Sequence, residues 1–228
     1  MKFIDQLKEK AKQNKKTIVL PETSDMRTIE AAGKVLAEGI ANIILVGDKE
    51  DIMSRAGDID LSGASFVDPK NYEKFDEYVD AFVEMRRKKG MTEARAKELL
   101  LTNPLYFGCM MVKQDDADGM VAGAINASAD VLRAALQTLK TAPGTRIVSA
   151  FFLVVVPDCQ YGANGTFVFA DAGLEQNPDP EKLANIAISS ADSFKLLVGK
   201  EPVVAMLSHS TKGSAKHADV DKVVEATK

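Results

Sequence analysis

The sequence predicts an α/β protein with mainly parallel strands, and three observations support this class. Short apolar runs alternate along the chain with longer segments of helical periodicity, the order expected for strands joined by crossover helices. Two of these runs lead directly into loops of small and hydroxyl-bearing residues that open a helix. The composition changes at Ala142-Pro143-Gly144, which is a hinge signal. We therefore predict two domains around a cleft, residues 1–143 and residues 144–228.

The first domain is predicted to begin with alternating helices and strands. Asp25 is the expected cap of a helix that ends at Gly39, and Gly57 is expected to end a shorter helix. In chain order, the predicted elements are a helix over 3–13, a strand over 17–20, a helix over 25–39, a strand over 43–46, a helix over 51–56 and a weak strand over 65–67.

The rest of the first domain is predicted to be mostly helical. Apolar spacing indicates a long amphipathic helix over 72–89, Thr92 caps a second helix, and Pro104 is the first position of a third. The apolar run Gly119–Ala122 follows, and we predict that it is a parallel strand of the same sheet as the earlier strands.

The second domain is predicted to be built on a long central strand, Ile147–Val156. An Asn164-Gly165 turn signal connects it to a strand over 166–170, so this pair is a candidate antiparallel hairpin. A helix over 180–198, a third strand over 202–207 and a helix from Asp219 complete the pattern. Because the apolar face of the last helix has no stop signal, the domain is expected to be incomplete.

Composition and charge argue against several classes of function. The net charge is −4 and no basic stripe with interleaved aromatic residues occurs, which disfavours a nucleic-acid surface. The longest apolar run is far shorter than the roughly 20 residues of a membrane helix. Cys109 and Cys159 have no metal-type or paired spacing, and His209 and His217 do not form a metal pair. We expect a cytoplasmic protein without a structural metal.

The segment Asp118–Leu136 is predicted to form a strand, a loop of small residues and a helix. Such a loop directs backbone N–H groups outward at the positive end of a helix, an arrangement that binds anions. Ser128 or Asp130 is the expected N-cap, and Arg133 lies where a guanidinium can fork onto a bound phosphate. An ordinary strand-to-helix turn uses the same residue types, so this alternative remains open.

A second loop, Ser208–Ser214, follows the apolar run at 202–207 and is rich in hydroxyl groups. Its lysine, Lys212, either binds phosphate or is simply solvated, and an ordinary turn is again the alternative. If both loops face one cleft, together they would bind a phosphorylated ligand.

Four segments resemble phosphate acetyltransferases of the single-module bacterial type, in a group that includes phosphate butyryltransferases. They are Leu20–Arg27, Asp118–Arg133, Val156–Cys159 and Met206–Ala215. The resemblance implies two α/β domains around a cleft, similar to isocitrate and isopropylmalate dehydrogenases. It implies reversible acetyl transfer between coenzyme A and inorganic phosphate by a homodimer, with coenzyme A as substrate and no cofactor.

The resemblance also implies roles for individual residues. Arg86 helps to hold coenzyme A, and Arg133 is the arginine of the phosphate loop. Cys159 lies near the site and is not a nucleophile. The residues implied to line the cleft are Ser128, Ser208, Thr211 and Lys212. The family's catalytic Ser-Arg-Gly motif and its Asp lie beyond Lys228, so we expect this chain alone to be inactive.

Alternative functions remain open from the sequence. A phosphate butyryltransferase and a non-catalytic module that binds acyl-coenzyme A fit the same resemblance. A dinucleotide-dependent dehydrogenase is less favoured because no Gly-x-Gly-x-x-Gly follows the first strand. Asp171 either lines the cleft or caps a turn, and we favour the cap.

Overall fold

The computed structural model describes residues 3–228, so Met1 and Lys2 of the predicted first domain lie outside the described residues. The chain forms two compact units, one over Ile4–Lys140 and the other over Thr141–Lys228, with which Phe3 is grouped. Within residues 3–228, no helix is both long enough and apolar enough to cross a membrane.

The first unit contains a four-stranded, fully parallel sheet in the order β3-β2-β1-β4. The strands are β1 (Lys16–Leu20), β2 (Ala41–Val46), β3 (Ala64–Val67) and β4 (Gly119–Met120). The predicted parallel sheet is therefore confirmed, although β4 is shorter than predicted. Val121 still donates its N–H to the carbonyl of Val19 at 3.0 Å, but its side chain is already 63% exposed.

The helices of this unit begin and end close to the predicted residues. They are α1 (Phe3–Gln13), α2 (Met26–Glu38), α3 (Lys49–Ala56), α4 (Phe75–Arg86), α5 (Glu93–Thr102), α6 (Pro104–Lys113) and α7 (Ser128–Thr138). The expected caps of α2 are confirmed, since Asp25 accepts the N–H of Arg27 and Gly39 adopts φ +67°. The helix predicted over 72–89 is shorter, because its first residues form a turn in which Phe75 donates its N–H to the carbonyl of Tyr72 at 3.0 Å, and a 3₁₀ turn replaces its end.

Side chains on the two faces of the sheet pack against different helices. Val19 and Ile44 contribute to the larger cluster, which includes Tyr78, Phe82 and Phe107. On the other face, strand residues pack in a smaller cluster with residues of α2 and α3. Helix α6 is buried all round from its second to its eighth residue, which explains its nearly continuous apolar sequence. The sheet is thus covered on both faces, as parallel sheets require.

The second unit departs further from the prediction. It contains β5 (Phe151–Val155), β6 (Thr166–Ala170), α8 (Pro180–Val198) and α9 (Ala218–Thr227). The strands β5 and β6 form an antiparallel pair, as expected from the Asn164-Gly165 turn, in which both residues have positive φ. The strand predicted over 147–156 is present as β5, but it is shorter and not central, since among residues 3–228 it pairs with β6 alone and Phe152 is 63% exposed.

The predicted third strand over 202–207 is also wrong. No residue of this segment is in a strand, and the Val203 side chain is 98% exposed. A strand needs a neighbour to satisfy its backbone groups, and no part of residues 3–228 pairs with this segment. Apolar composition predicted burial here, but composition alone does not supply the neighbouring strand.

Candidate functional site

The loop between β4 and α7 is folded around a buried carboxylate. Glu22, which follows β1 by one residue, is only 2% exposed. Its carboxylate accepts the backbone N–H groups of Gly123 at 2.6 Å, Ala124 at 2.7 Å, Ile125 at 3.1 Å and Asn126 at 2.9 Å. It also accepts the side-chain amide of Asn126 at 2.7 Å. Four successive peptide groups thus converge on one internal anion.

These donors keep Glu22 ionised. Burial by itself raises the pKa of a carboxyl group, since it disfavours the charged form. The hydrogen bonds from Asn126, Ala124 and Ile125 oppose this effect and together lower the pKa of Glu22 to about 2. The carboxylate therefore stays charged at any physiological pH.

The segment Leu20–Arg27, which contains Glu22, makes further contacts with the loop over 123–126. The Arg27 guanidinium donates to the carbonyl of Ala124 and to the Asp25 carboxylate. Thr23 Oγ1 donates to the carbonyl of Val46 at 2.6 Å, which fixes the segment against the end of β2. The Leu20–Arg27 segment therefore clamps the 123–126 loop at the carboxyl edge of the sheet, where ligands of open α/β sheets bind.

This arrangement corrects part of the predicted anion site. The N–H groups of 123–126 are already bonded to Glu22, so an external phosphate does not find them free. The prediction of Ser128 or Asp130 as N-cap is wrong, because Ala127 occupies that position and makes no side-chain cap. Ser128 is instead the first residue of α7, and it is exposed. The start of α7 thus keeps an uncapped positive end.

Arg133 lies in the second turn of α7 and forms an ion pair with Asp130, one turn earlier. Its side chain is 56% exposed and that of Asp130 is 48% exposed. Exposed pairs of this kind contribute only about 0–1 kcal/mol, so a phosphate can compete with Asp130 for the guanidinium.

Arg86, Arg133 and Tyr106 lie close together in the first unit. Burial raises the pKa of Tyr106, while the positive charges of Arg133 and Arg86 act on the same phenol in the opposite direction. Arg86 is the last residue of α4, and its Nε is buried with no hydrogen-bond partner among residues 3–228. Tyr106 is 7% exposed and packs against Phe82, with ring centroids 5.8 Å apart. Sequence reasoning named both arginines but missed Tyr106 and Glu22.

The hydroxyl-rich loop of the second unit is bonded mainly to itself. Ser208 Oγ accepts the N–H of Ser210 at 3.2 Å, and Ser214 Oγ accepts the N–H of Thr211 at 3.0 Å. Lys212 is exposed and has φ +46°. His217 caps α9 through Nδ1, which accepts the N–H of Asp219 at 3.1 Å. The binding roles of Ser208, Thr211 and Lys212 stay predictions.

Two other residues of this unit were considered in the sequence. Cys159 is a free, partly exposed thiol. Asp171 caps a turn, as favoured, because its carboxylate accepts the N–H groups of Gly173 at 2.7 Å and Leu174 at 2.8 Å. Across the part of the chain that the structure describes, no group of three or more histidine, cysteine or carboxylate side chains is arranged to hold a metal.

Comparison with known proteins decides the family. Residues 2–228 match the phosphate acetyl/butaryl transferase family. The chain belongs to this family. It is 54% identical over 227 residues to the phosphate acetyltransferase of Acetivibrio thermocellus, a match that covers 100% of this chain and 68% of the relative. The phosphate acetyltransferase of Thermoanaerobacterium thermosaccharolyticum is 53% identical, with 100% and 69% coverage.

Solved structures agree with these relatives. The EutD phosphotransacetylase from Staphylococcus aureus matches with a TM-score of 0.87 at 39% identity, covering 98% of this chain and 66% of that one. A phosphotransacetylase from Streptococcus pyogenes matches with a TM-score of 0.88 at 38% identity, covering 99% and 67%. The chain thus spans about two thirds of the length of these relatives. The predicted family is confirmed, and the relatives are acetyltransferases, which favours acetyl over butyryl transfer and over a regulatory module.

Proposed function

We propose that this chain binds coenzyme A for reversible acetyl transfer between coenzyme A and inorganic phosphate. One observation carries the proposal. Two helices of a chain 54% identical to a phosphate acetyltransferase carry underused guanidinium groups: the Nε of Arg86 is buried without a partner among residues 3–228, and Arg133 has an exposed ion pair with Asp130. A cytoplasmic homodimer with the two-domain architecture of isocitrate and isopropylmalate dehydrogenases belongs to the same proposal. So does the absence of a cofactor, a nucleic-acid partner and a membrane.

The chemistry of the arginine pair suits a phosphorylated ligand. Coenzyme A carries several phosphate groups, and guanidinium groups bind phosphate oxygens by charge-assisted, often bidentate hydrogen bonds. The N–H at the buried Nε of Arg86 is a hydrogen-bond donor without a partner among residues 3–228. Arg133 can exchange its exposed partner Asp130 for a phosphate, beside the uncapped start of α7. In each case the protein group has no hydrogen-bond partner, or only a weak, exposed one, within residues 3–228.

The transfer step requires more than binding. Attack of phosphate on a thioester carbonyl builds negative charge on the carbonyl oxygen, and the reverse reaction requires a base for the thiol. The resemblance assigns these roles to a Ser, an Arg and an Asp beyond Lys228. We therefore propose that residues 1–228 alone bind coenzyme A without turning it over.

The test is calorimetric titration of the purified chain with coenzyme A. Arg86→Ala and Arg133→Ala are each expected to raise the Kd on the order of 10-fold or more, the usual loss for one charged hydrogen bond. Arg87→Ala is the matched control, since Arg87 is adjacent to Arg86 but is 75% exposed and paired with Glu84. Unchanged affinity in both test variants, or no binding by the wild type, would reject the proposal.

A second assay follows thiol release from acetyl-coenzyme A in the presence of phosphate. We expect no turnover by the chain alone. Turnover at the rate of a full-length relative would show that residues 1–228 contain the complete catalytic machinery.

A further inference from the structure

We propose that Glu22 is a positioning residue for the coenzyme A site, because it acts as an internal anion that fixes the start of α7 and hence the place of Arg133. The proposal rests on the function proposed above. Glu22 itself is too buried to be offered as a ligand contact, since only 2% of its surface is exposed.

The loop has a physical need for this anion. The peptide N–H groups of 123–126 point to one place, and each of them donates to the Glu22 carboxylate at 2.6–3.1 Å. Without a negative charge at that point, several parallel dipoles would repel one another and lose their hydrogen bonds. Gly123 supports the conformation, since its φ of +111° is strained for any residue with a side chain. Glu22 therefore selects one conformation of a loop that has no regular structure of its own.

The conformation of this loop determines where α7 begins. Only Ala127 separates Asn126, the last residue bound to Glu22, from the first residue of the helix. Arg133 follows that first residue by five positions, about 7.5 Å along the helix axis at 1.5 Å per residue. A shift of the helix start is therefore transmitted to the guanidinium.

The opposite end of α7 is anchored independently. Ala134 and Thr138 are both 0% exposed, and Ala134 belongs to the main core cluster. Loss of Glu22 should thus displace the N-terminal part of the helix while its packed C-terminal part stays in place. Displacement of a binding group by about 1 Å can already cost on the order of 10²-fold in function. The expected result is weaker ligand binding in a chain that still folds.

Chemical rescue tests the anionic role directly. Glu22→Ala removes a fragment equivalent to acetate, and a cleft of about 220 Å³ lined by Glu22, Arg27 and Ala124 gives access to the vacated position. We expect Glu22→Ala to raise the Kd for coenzyme A on the order of 10-fold or more. Added acetate should restore much of that affinity, whereas chloride at equal ionic strength should not. A residue that merely adds packing would show no such rescue.

Three further variants keep the test decisive. Glu22→Asp keeps the negative charge. Glu22→Gln keeps the size, but its side-chain NH₂ is a donor that faces the N–H donors of the loop. Glu22→Asp should therefore lose less affinity for coenzyme A than Glu22→Gln. Asn126→Ala removes only the side-chain amide that donates to Glu22. If Glu22→Ala fails to fold, weaker coenzyme A binding by Asn126→Ala supports the positioning role, and unchanged binding rejects it. Asp116→Asn is the matched control, because that carboxylate also accepts several donors in this unit but precedes β4, at the amino edge of the sheet.

The outcomes separate the two proposals. If the wild type binds coenzyme A and the folded Glu22 variants bind it equally well, the positioning role is rejected and the proposed function stands. If affinity falls but acetate restores it no better than chloride, the internal-anion role is rejected. If Asp116→Asn weakens binding as much as Glu22→Ala, the effect is one of general stability and the inference fails. A wild type that binds no coenzyme A rejects the proposed function and, with it, this role of Glu22.

Discussion

Protonation of Glu22 should destabilise the first unit in acid. In the folded chain the pKa of Glu22 is about 2, against 4.5 for an ordinary glutamate, so the folded state holds its proton less tightly than the unfolded state. A group of this kind contributes stability that is fully present above pH 4.5 and is lost as the pH falls toward 2. A difference of about 2.5 in pKa corresponds to about 3.4 kcal/mol. Because Glu22 is only 2% exposed, water screens little of this effect, and we expect about 3 kcal/mol.

The assay compares wild type with Glu22→Gln by urea unfolding at several pH values from 7 to 3. Tyrosine signals suit this purpose, since Tyr72, Tyr78 and Tyr106 lie in the first unit and only Tyr161 lies in the second. The wild type should be the more stable protein at pH 7. The difference in free energy of unfolding between the wild type and Glu22→Gln should shrink as the pH falls. More than half of its pH-dependent part should be lost by pH 3, because only the wild type has a carboxylate to protonate at position 22.

The comparison has an internal control. Asp60 is an exposed carboxylate whose pKa is also lowered, by hydrogen bonds from Ser62, but it holds no loop at the carboxyl edge of the sheet. Asp60→Asn should therefore change the pH dependence much less than Glu22→Gln does. A wild-type-minus-variant difference for Glu22→Gln that stays constant from pH 7 to pH 3 would refute the reasoning, since it would mean that Glu22 titrates alike in the folded and unfolded states.

Three other outcomes are expected. In the complete enzyme, Arg133→Ala should slow acyl transfer on the order of 10²-fold and Arg133→Lys should restore little of it, measured by thiol release at varied phosphate. Phe107→Ala should reduce the free energy of unfolding by about 3–5 kcal/mol, because Phe107 is 0% exposed in the main core, whereas Leu101→Ala at a 43% exposed position should change it by about 0.5 kcal/mol or less. Gly39→Ala should cost about 1–2 kcal/mol in the same urea measurement, because the α2 cap requires φ +67°.

Local sequence signals predicted the first unit well, since its elements are determined by short-range chemistry. The Asp25 and Thr92 caps, the Gly39 terminus and the apolar runs of the sheet all have partners within this unit. The second unit was predicted less well, because an apolar run such as 202–207 becomes a strand only beside another strand. Periodicity describes a segment, whereas strand pairing depends on what lies next to it.

The candidate site shows a second limit of sequence reasoning. The small residues of the 123–126 loop did indicate converging N–H groups, and the structure contains them. The sequence did not reveal which anion they bind, because Glu22 is about 100 positions earlier in the chain. The pairing of β1 with β4 brings the two segments together. Glu22 lies two positions after the end of a buried strand, and this was the one signal that could have identified it.

The internal anion also changes how phosphate recognition at this edge should be understood. A loop that offered its N–H groups to an external phosphate would compete with water and order only when the ligand arrives. With Glu22 in that place, the N–H groups of the loop are already bonded, and under the function proposed above the ligand's negative charge is bound by the start of α7, Arg133 and Arg86. Preorganisation of this kind lowers the entropy lost on binding. It also predicts that ligand affinity depends on two carboxylates in opposite senses: Glu22 supports it by placing the helix, and Asp130 opposes it by holding Arg133.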